Sequence, residues 1–246
     1  MLLIDIGNTR IKAACLETDE LRPLPAVATA AAEPFVTWAG SVPLRPTRLL
    51  AANVAGASVA AKLVLYARER WDREVEFVSP RRSCAGMTTH YAEPTRLGVD
   101  RWLAALAGFH RNHHAVCVID VGTALTVDVV LADGSHLGGL IAPGPDLMRT
   151  SLTRGTAQLE SDAIDPVDGF ADNTRDAISL GCGDAIVGLL DRVAIRLARL
   201  TPPTAFDWIV TGGAAPTVVA RLERAHTVVP DLVLQGLLVY AAAERA

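Results

Sequence analysis

LLIDIGNT at residues 2–9 and CVIDVGTA at residues 117–124 follow one plan and decide the fold. Each is a short apolar run closed by a carboxylate, Asp5 or Asp120. Glycine follows two residues on, Gly7 or Gly122, then hydroxyl or amide residues and a second apolar run, Ile11–Leu16 or Leu125–Leu131. Such a pattern predicts a strand, a tight turn and a return strand. Its recurrence predicts two related halves, divided as 1–112 and 113–246 across a short linker, with a cleft between them.

Working outward, Asp133-Gly134 predicts a hairpin into a strand at 136–141, and Pro143-Gly144 closes it before a helix from about Pro145. We expect three antiparallel strands followed by a helix in both halves. In the first half, strands are expected at 49–54 and 75–78. A helix is expected between them at 58–71, where Val59, Leu63, Tyr66 and Ala67 recur at helical spacing. Residues 26–32 are alanine-rich and read as a loop or loose helix. Residues 79–97 carry Pro80, Gly86, Pro94 and several arginines and read as a surface loop of functional length, before a helix at 101–110. The remainder predicts a long helix at 173–200, a strand at 208–210 ending in Thr211-Gly212-Gly213, and two further helices. Alternating strands and helices place the whole in the mixed α/β class.

Composition narrows the function. Half of the 246 residues are hydrophobic, enough for a real core, and 23 basic against 27 acidic side chains leave no basic excess. A nucleic-acid partner is therefore not expected. Asp5 and Arg10 interrupt the only early apolar stretch, so neither export nor a membrane partner is expected, and the four scattered cysteines read as reduced thiols of a cytoplasmic protein.

A carboxylate at a strand end beside a glycine turn places a cation ligand next to backbone N–H groups that can meet phosphate oxygens. In DIGNTRIK, residues 5–12, Asp5 is positioned to hold magnesium through water, with Asn8, Thr9 and Lys12 as donors to phosphate. A single such turn reads equally well as an ordinary hairpin. Two, at matching points of duplicated halves, point to a clamp on a triphosphate, with Asp120, Gly122 and Thr123 as the second set. Thr211-Gly212-Gly213 offers a flat backbone surface for adenine or ribose, although a Gly-Gly pair more often marks a helix entry. Asp100 has two readings from spacing: N-cap of the following helix, or a chemical carboxylate.

Together these segments resemble the acetate kinase, sugar kinase, actin and heat-shock-chaperone ATPases, with their two duplicated ribonuclease-H-like lobes. Within that group the chain resembles type III pantothenate kinases, on DIGNTRIK at 5–12, YAEPTRLGVDRW at 91–102, DVGTALT at 120–126, LGGLIAPG at 137–144 and TGG at 211–213. The GVDRW and GGLIAPG stretches carry most of the specificity, because the phosphate turns are shared across the whole superfamily.

That resemblance implies ATP-dependent phosphorylation of pantothenate to 4'-phosphopantothenate. Asp5, Ile6, Gly7, Asn8, Thr9, Arg10, Ile11 and Lys12 become the first ATP loop, and Thr123 a second ATP contact. Asp120 becomes the ligand of a monovalent cation, potassium or ammonium. Tyr91, Gly98, Val99, Asp100 and Arg101 become pantothenate contacts, with Asp100 the general base. Thr174 is implied to reach the substrate from the second subunit of a homodimer. Two other readings compete: a kinase of the same superfamily acting on a sugar or other small alcohol, and a non-catalytic nucleotide-binding regulatory protein. The acceptor-side motif GVDRW speaks against the first, and the lack of room for a peptide-binding domain against a chaperone-like form of the second.

Overall fold

Apolar residues alternate along the first two strands, and that period builds the first sheet. The computed structural model describes all residues except 19, 39–41, 43–45, 154–168, 202–203 and 245–246. Strands β1 (Leu2–Ile6) and β2 (Arg10–Glu17) pair antiparallel, β3 (Glu20–Pro23) continues the meander, and β4 (Val27–Ala28) pairs with the start of β2. Strand β5 (Leu49–Asn53) then joins β1 in parallel. Helix α1 (Ala57–Trp71) leads to β6 (Glu76–Phe77), parallel to β5. The sheet order is β3-β2-β1-β5-β6.

Next come a hairpin of β7 (Ser83–Cys84) and β8 (Met87–Thr89) and helix α2 (Val99–Asn112). Strands β9 (Val116–Val121), β10 (Ala124–Val130) and β11 (Ser135–Pro143) follow, then helices α3 (Pro145–Thr153) and α4 (Thr174–Leu197). Strand β12 (Asp207–Thr211), helix α5 (Ala215–Val219), strand β13 (Thr227–Val228) and helix α6 (Leu232–Ala243) complete the chain. The second sheet runs β13-β12-β9-β10-β11-β8-β7, with β12 parallel to both β9 and β13. Read from the third strand, both sheets have the order third, second, first, fourth, fifth. The duplication seen in two octapeptides thus extends to the topology of both sheets.

The helix expected after the third strand holds only for the second half. Among the described residues of the first half, β4 and a short 3-10 turn (Val36–Trp38) lie between β3 and β5, and the helix follows β5. The alanine-rich stretch is not helical either: it supplies β4, edge-paired to Arg10 and Ile11. The expected surface loop at 79–97 contains the β7–β8 hairpin, turned at Ala85 and Gly86, both at positive φ, and it buries Met87, Thr89 and Leu97.

The chain forms two compact units. One comprises Met1–His113, Val130–Gly138 and Asp231–Ala246, the other His114–Val129 and Gly139–Pro230. Helix α6 therefore goes with the first unit, whereas a division at 112/113 assigns it to the second. In the first unit, Leu2, Ile4, Ile6, Ile11 and Ala13 on one sheet face pack with Leu63, Ala67 and Trp71 of α1. Helices α2 and α6 pack on each other and on β5, and α6 also packs on β1. In the second unit, Cys117, Ile119, Val121, Leu125 and Val127 pack with Ile186, Leu190 and Val193 of α4. By strand alternation, Asp5 and Asp120 project from the sheet faces opposite these two cores. All four cysteines are free. The Cys117 thiol, buried and near the Asp128 carboxylate, has its pKa pushed up to about 12.

Gly236 sets how closely α6 approaches α2, because a methyl group there would overlap the carbonyl of Leu103. Gly236→Ala must push the helices apart, at a cost of about 2 kcal/mol. We expect its thermal midpoint to fall by about 5 °C, as read by calorimetry. An unchanged midpoint would contradict this packing.

Candidate active site

In the first unit the glycine turn expected to meet phosphate spans Gly7 to Thr9, between the end of β1 and the start of β2. It closes through Gly7 N–H donating to Arg10 O at 3.0 Å. Asp5 and Lys12 are direct cross-strand partners. Asp5 is half-buried, while Asn8, Thr9 and Arg10 are exposed on the turn. Ile6 and Ile11 are buried, so their part is to seat the turn in the core. The Lys12 ammonium lies 3.0 Å from the Asp231 carboxylate, at the start of α6. Sequence reasoning missed Thr29, whose hydroxyl donates to Gly7 O at 2.7 Å while its N–H donates to Thr9 O at 3.0 Å. A lone hydroxyl residue in an alanine run was the available signal.

In the second unit the matching turn is one residue tighter, holding only Gly122 and Thr123 between β9 and β10. Gly122 N–H donates to Ala124 O at 3.0 Å, and Gly144 N–H donates to Thr123 O at 2.9 Å. The 143–144 turn and the 120–123 turn are thereby fixed together. Asp120 pairs across strands with Thr211, and the glycine that follows, Gly212, has φ +98°. A side chain there would be strained and would overlap Asp120 Oδ1 and the Val121 carbonyl. The Thr211-Gly212-Gly213 element therefore packs directly against the second carboxylate.

The residues expected on the acceptor side gather at the start of α2 in the first unit. Gly98 takes the N-cap position and Val99, Asp100 and Arg101 open the helix. Asp100 is thus inside the first turn and is not the N-cap, which removes that structural reading of this carboxylate. Its Oδ1 accepts from Arg101 N–H at 2.8 Å and folds over Gly98, where a Cβ would lie only 2.6 Å away. The first turn of a helix favours negative charge. Buried Arg101 donates from Nη1 to the Tyr91 hydroxyl at 3.1 Å, which brings together the two ends of the YAEPTRLGVDRW stretch. Thr174, by contrast, is an exposed residue at the start of α4 in the second unit, beside the capping residue Asn173, whose side chain accepts from Asp176 N–H.

Among the described residues no three His, Cys, Asp or Glu side chains cluster as a metal site. A cation at Asp5 or Asp120 would accordingly share its shell with phosphate oxygens and water, as magnesium bound with a nucleotide commonly does. The half-buried single carboxylates fit that arrangement.

Two carboxylate-ended strands on twice-repeated sheets of this order give the fold of the actin-like ATPases and sugar kinases. Solved structures agree on the fold. A Campylobacter jejuni protein assigned to the Baf family of transcriptional activators superposes at TM-score 0.64 and 19% identity, covering 100% of both chains. The activator of 2-hydroxyisocaproyl-CoA dehydratase from Clostridium difficile, with bound ADPNP, superposes at 0.55 and 11% identity, covering 99% of this chain and 95% of that one. The family model for type III pantothenate kinase matches residues 1–196. The type III pantothenate kinase of Azoarcus sp. (strain BH72) is 40% identical, over 100% of this chain and 92% of its own length. That of Nitrosococcus oceani is 35% identical, over 96% of this chain and 92% of its own. The chain belongs to the type III pantothenate kinase family. No helix among the described residues is long and apolar enough to cross a membrane.

Proposed function

We propose that the reaction of the family, ATP-dependent phosphorylation of pantothenate at the first step of coenzyme A biosynthesis, proceeds in this chain with Asp100 as general base. The observation that carries this reading is the Tyr91–Arg101 contact beside Asp100, which assembles a hydroxyl, a guanidinium and a carboxylate at one helix start. Asp100 accepts the proton of the primary hydroxyl of pantothenate as its oxygen attacks the γ-phosphorus, and the bond to the β,γ-bridging oxygen breaks to release ADP. Gly98 and Val99 shape the pocket through the backbone, while Tyr91 and Arg101 orient the acceptor.

Asp5 to Lys12 hold the ATP phosphates, with the exposed Asn8 and Thr9 as donors and Asp5 as the magnesium-side carboxylate. Thr123 contacts ATP from the second turn, and Asp120 holds a potassium or ammonium ion. The two cations supply charge neutralisation of crowded phosphate oxygens. Thr174, exposed on α4, completes the acceptor site of a partner subunit in a homodimer.

The acceptor is tested by following ADP release with pantothenate, with hexoses and with glycerol as alternative acceptors. We expect turnover with pantothenate alone. Comparable rates with a sugar would overturn the acceptor assignment while leaving the kinase class intact.

A further inference from the structure

We propose that His136 is a positioning residue for the acceptor site, acting through Tyr91. The proposal rests on the reading above that Tyr91 and Arg101 contact pantothenate. His136 lies on β11, where it registers against Thr89 of β8, and both side chains are fully buried. Its Nδ1 shares a hydrogen bond with Thr89 Oγ1 at 3.0 Å. The same hydroxyl lies 3.3 Å from Tyr91 N–H, which donates to it, and His136 O accepts from His90 N–H at 3.1 Å. The imidazole also stacks on the Tyr91 ring, with centroids 6.2 Å apart and planes 15° from parallel. Two residues further on, Gly138 presents no side chain to that ring; a Cβ there would lie 3.7 Å from Tyr91 Cε2.

Arg82 fixes the backbone of the same segment from outside. Its guanidinium donates to Thr89 O at 2.8 Å, Tyr91 O at 2.7 Å and Ala92 O at 2.9 Å. Tyr91 is thus held at its carbonyl by Arg82, at its N–H by Thr89 and at its ring by His136. The end of this chain of contacts is the tyrosine hydroxyl, which accepts from Arg101 Nη1 at 3.1 Å. A buried polar pair keeps its geometry because neither group tolerates loss of its partner away from water. That rigidity passes to the Tyr91 hydroxyl and, through it, to the guanidinium. His136 therefore governs acceptor binding without touching acceptor or nucleotide.

Steady-state kinetics and thermal midpoints of the full chain test this with His136→Phe, which keeps a flat ring but removes Nδ1, and Thr89→Val, which removes the hydroxyl at nearly constant shape. Both should raise the KM for pantothenate about tenfold, leave the KM for ATP within about twofold and lower kcat by less than about threefold. The double variant should be no worse than the poorer single variant, because either change alone already breaks the shared Nδ1–Oγ1 hydrogen bond. Tyr91→Phe and Arg101→Lys serve as the control arm. If these two raise the pantothenate KM and the His136 and Thr89 variants do not, the positioning role is overturned and the acceptor site stands. If the control variants also leave it unchanged, the acceptor reading fails and takes the proposal with it. A parallel rise in both KM values with a lowered midpoint would assign the pair to stability alone and overturn the proposal.

Discussion

Asp100→Asn is expected to lose about a hundredfold or more of kcat while its ATP affinity and thermal midpoint stay near those of the parent. The asparagine keeps the shape of the carboxylate, and its amide oxygen can still accept from Arg101 N–H, the bond seen at 2.8 Å. Loss of rate therefore reports on proton acceptance. The magnitude follows from general-base contributions of about 10²–10⁴. Phosphoryl transfer depends mainly on positioning and charge stabilisation, so the effect should lie at the lower end. Single-turnover rates and nucleotide titration measure the two quantities separately. A variant within twofold of the parent rate would confine Asp100 to the first turn of α2 as a helix-stabilising anion.

Asp120→Asn should abolish stimulation by monovalent cations. The parent enzyme should lose at least about tenfold in rate, equivalent to about 1.4 kcal/mol, when potassium and ammonium are replaced by a bulky organic cation. The variant should be slow in every salt, with a raised KM for ATP. Asp120 is held in place by its register with Thr211 and by contact with Gly212, so the isosteric change leaves the turn intact. A parent enzyme indifferent to potassium and ammonium, or a variant still stimulated by them, would remove the cation from this carboxylate.

The two strands that carry Asp5 and Asp120 were legible because buried strands write their alternation and their ends into the sequence. Asp5 and Asp120 both terminate apolar runs, and the repeat of that pattern predicted a duplication that the two sheet orders share. The tight second turn was not legible: GNT and GT look alike until the pairing shows that the first turn has one residue more. Strands of two or three residues such as β7 and β8 carry no period to detect, so Ser83–Thr89 read as loop. Long-range partners were equally hidden. Nothing local in HLGG marks His136 as buried against Thr89, and nothing near Lys12 points to Asp231. Helix α6 left a weaker trace, since a nearly all-apolar segment signals burial on every side but not by which unit. Resemblance on GVDRW supplied the proposed acceptor side, and the structure added the Tyr91–Arg101 hydrogen bond, a contact the resemblance did not specify.

Product identification decides whether the chain phosphorylates pantothenate. The purified full chain is incubated with ATP, magnesium, potassium and pantothenate, and the products are separated and weighed by mass spectrometry. We expect 4'-phosphopantothenate and ADP in equal amounts, with Asp100→Asn forming about a hundredth as much of each, or less, over the same interval. ADP without phosphopantothenate, or no turnover with potassium and ammonium both present, would contradict it.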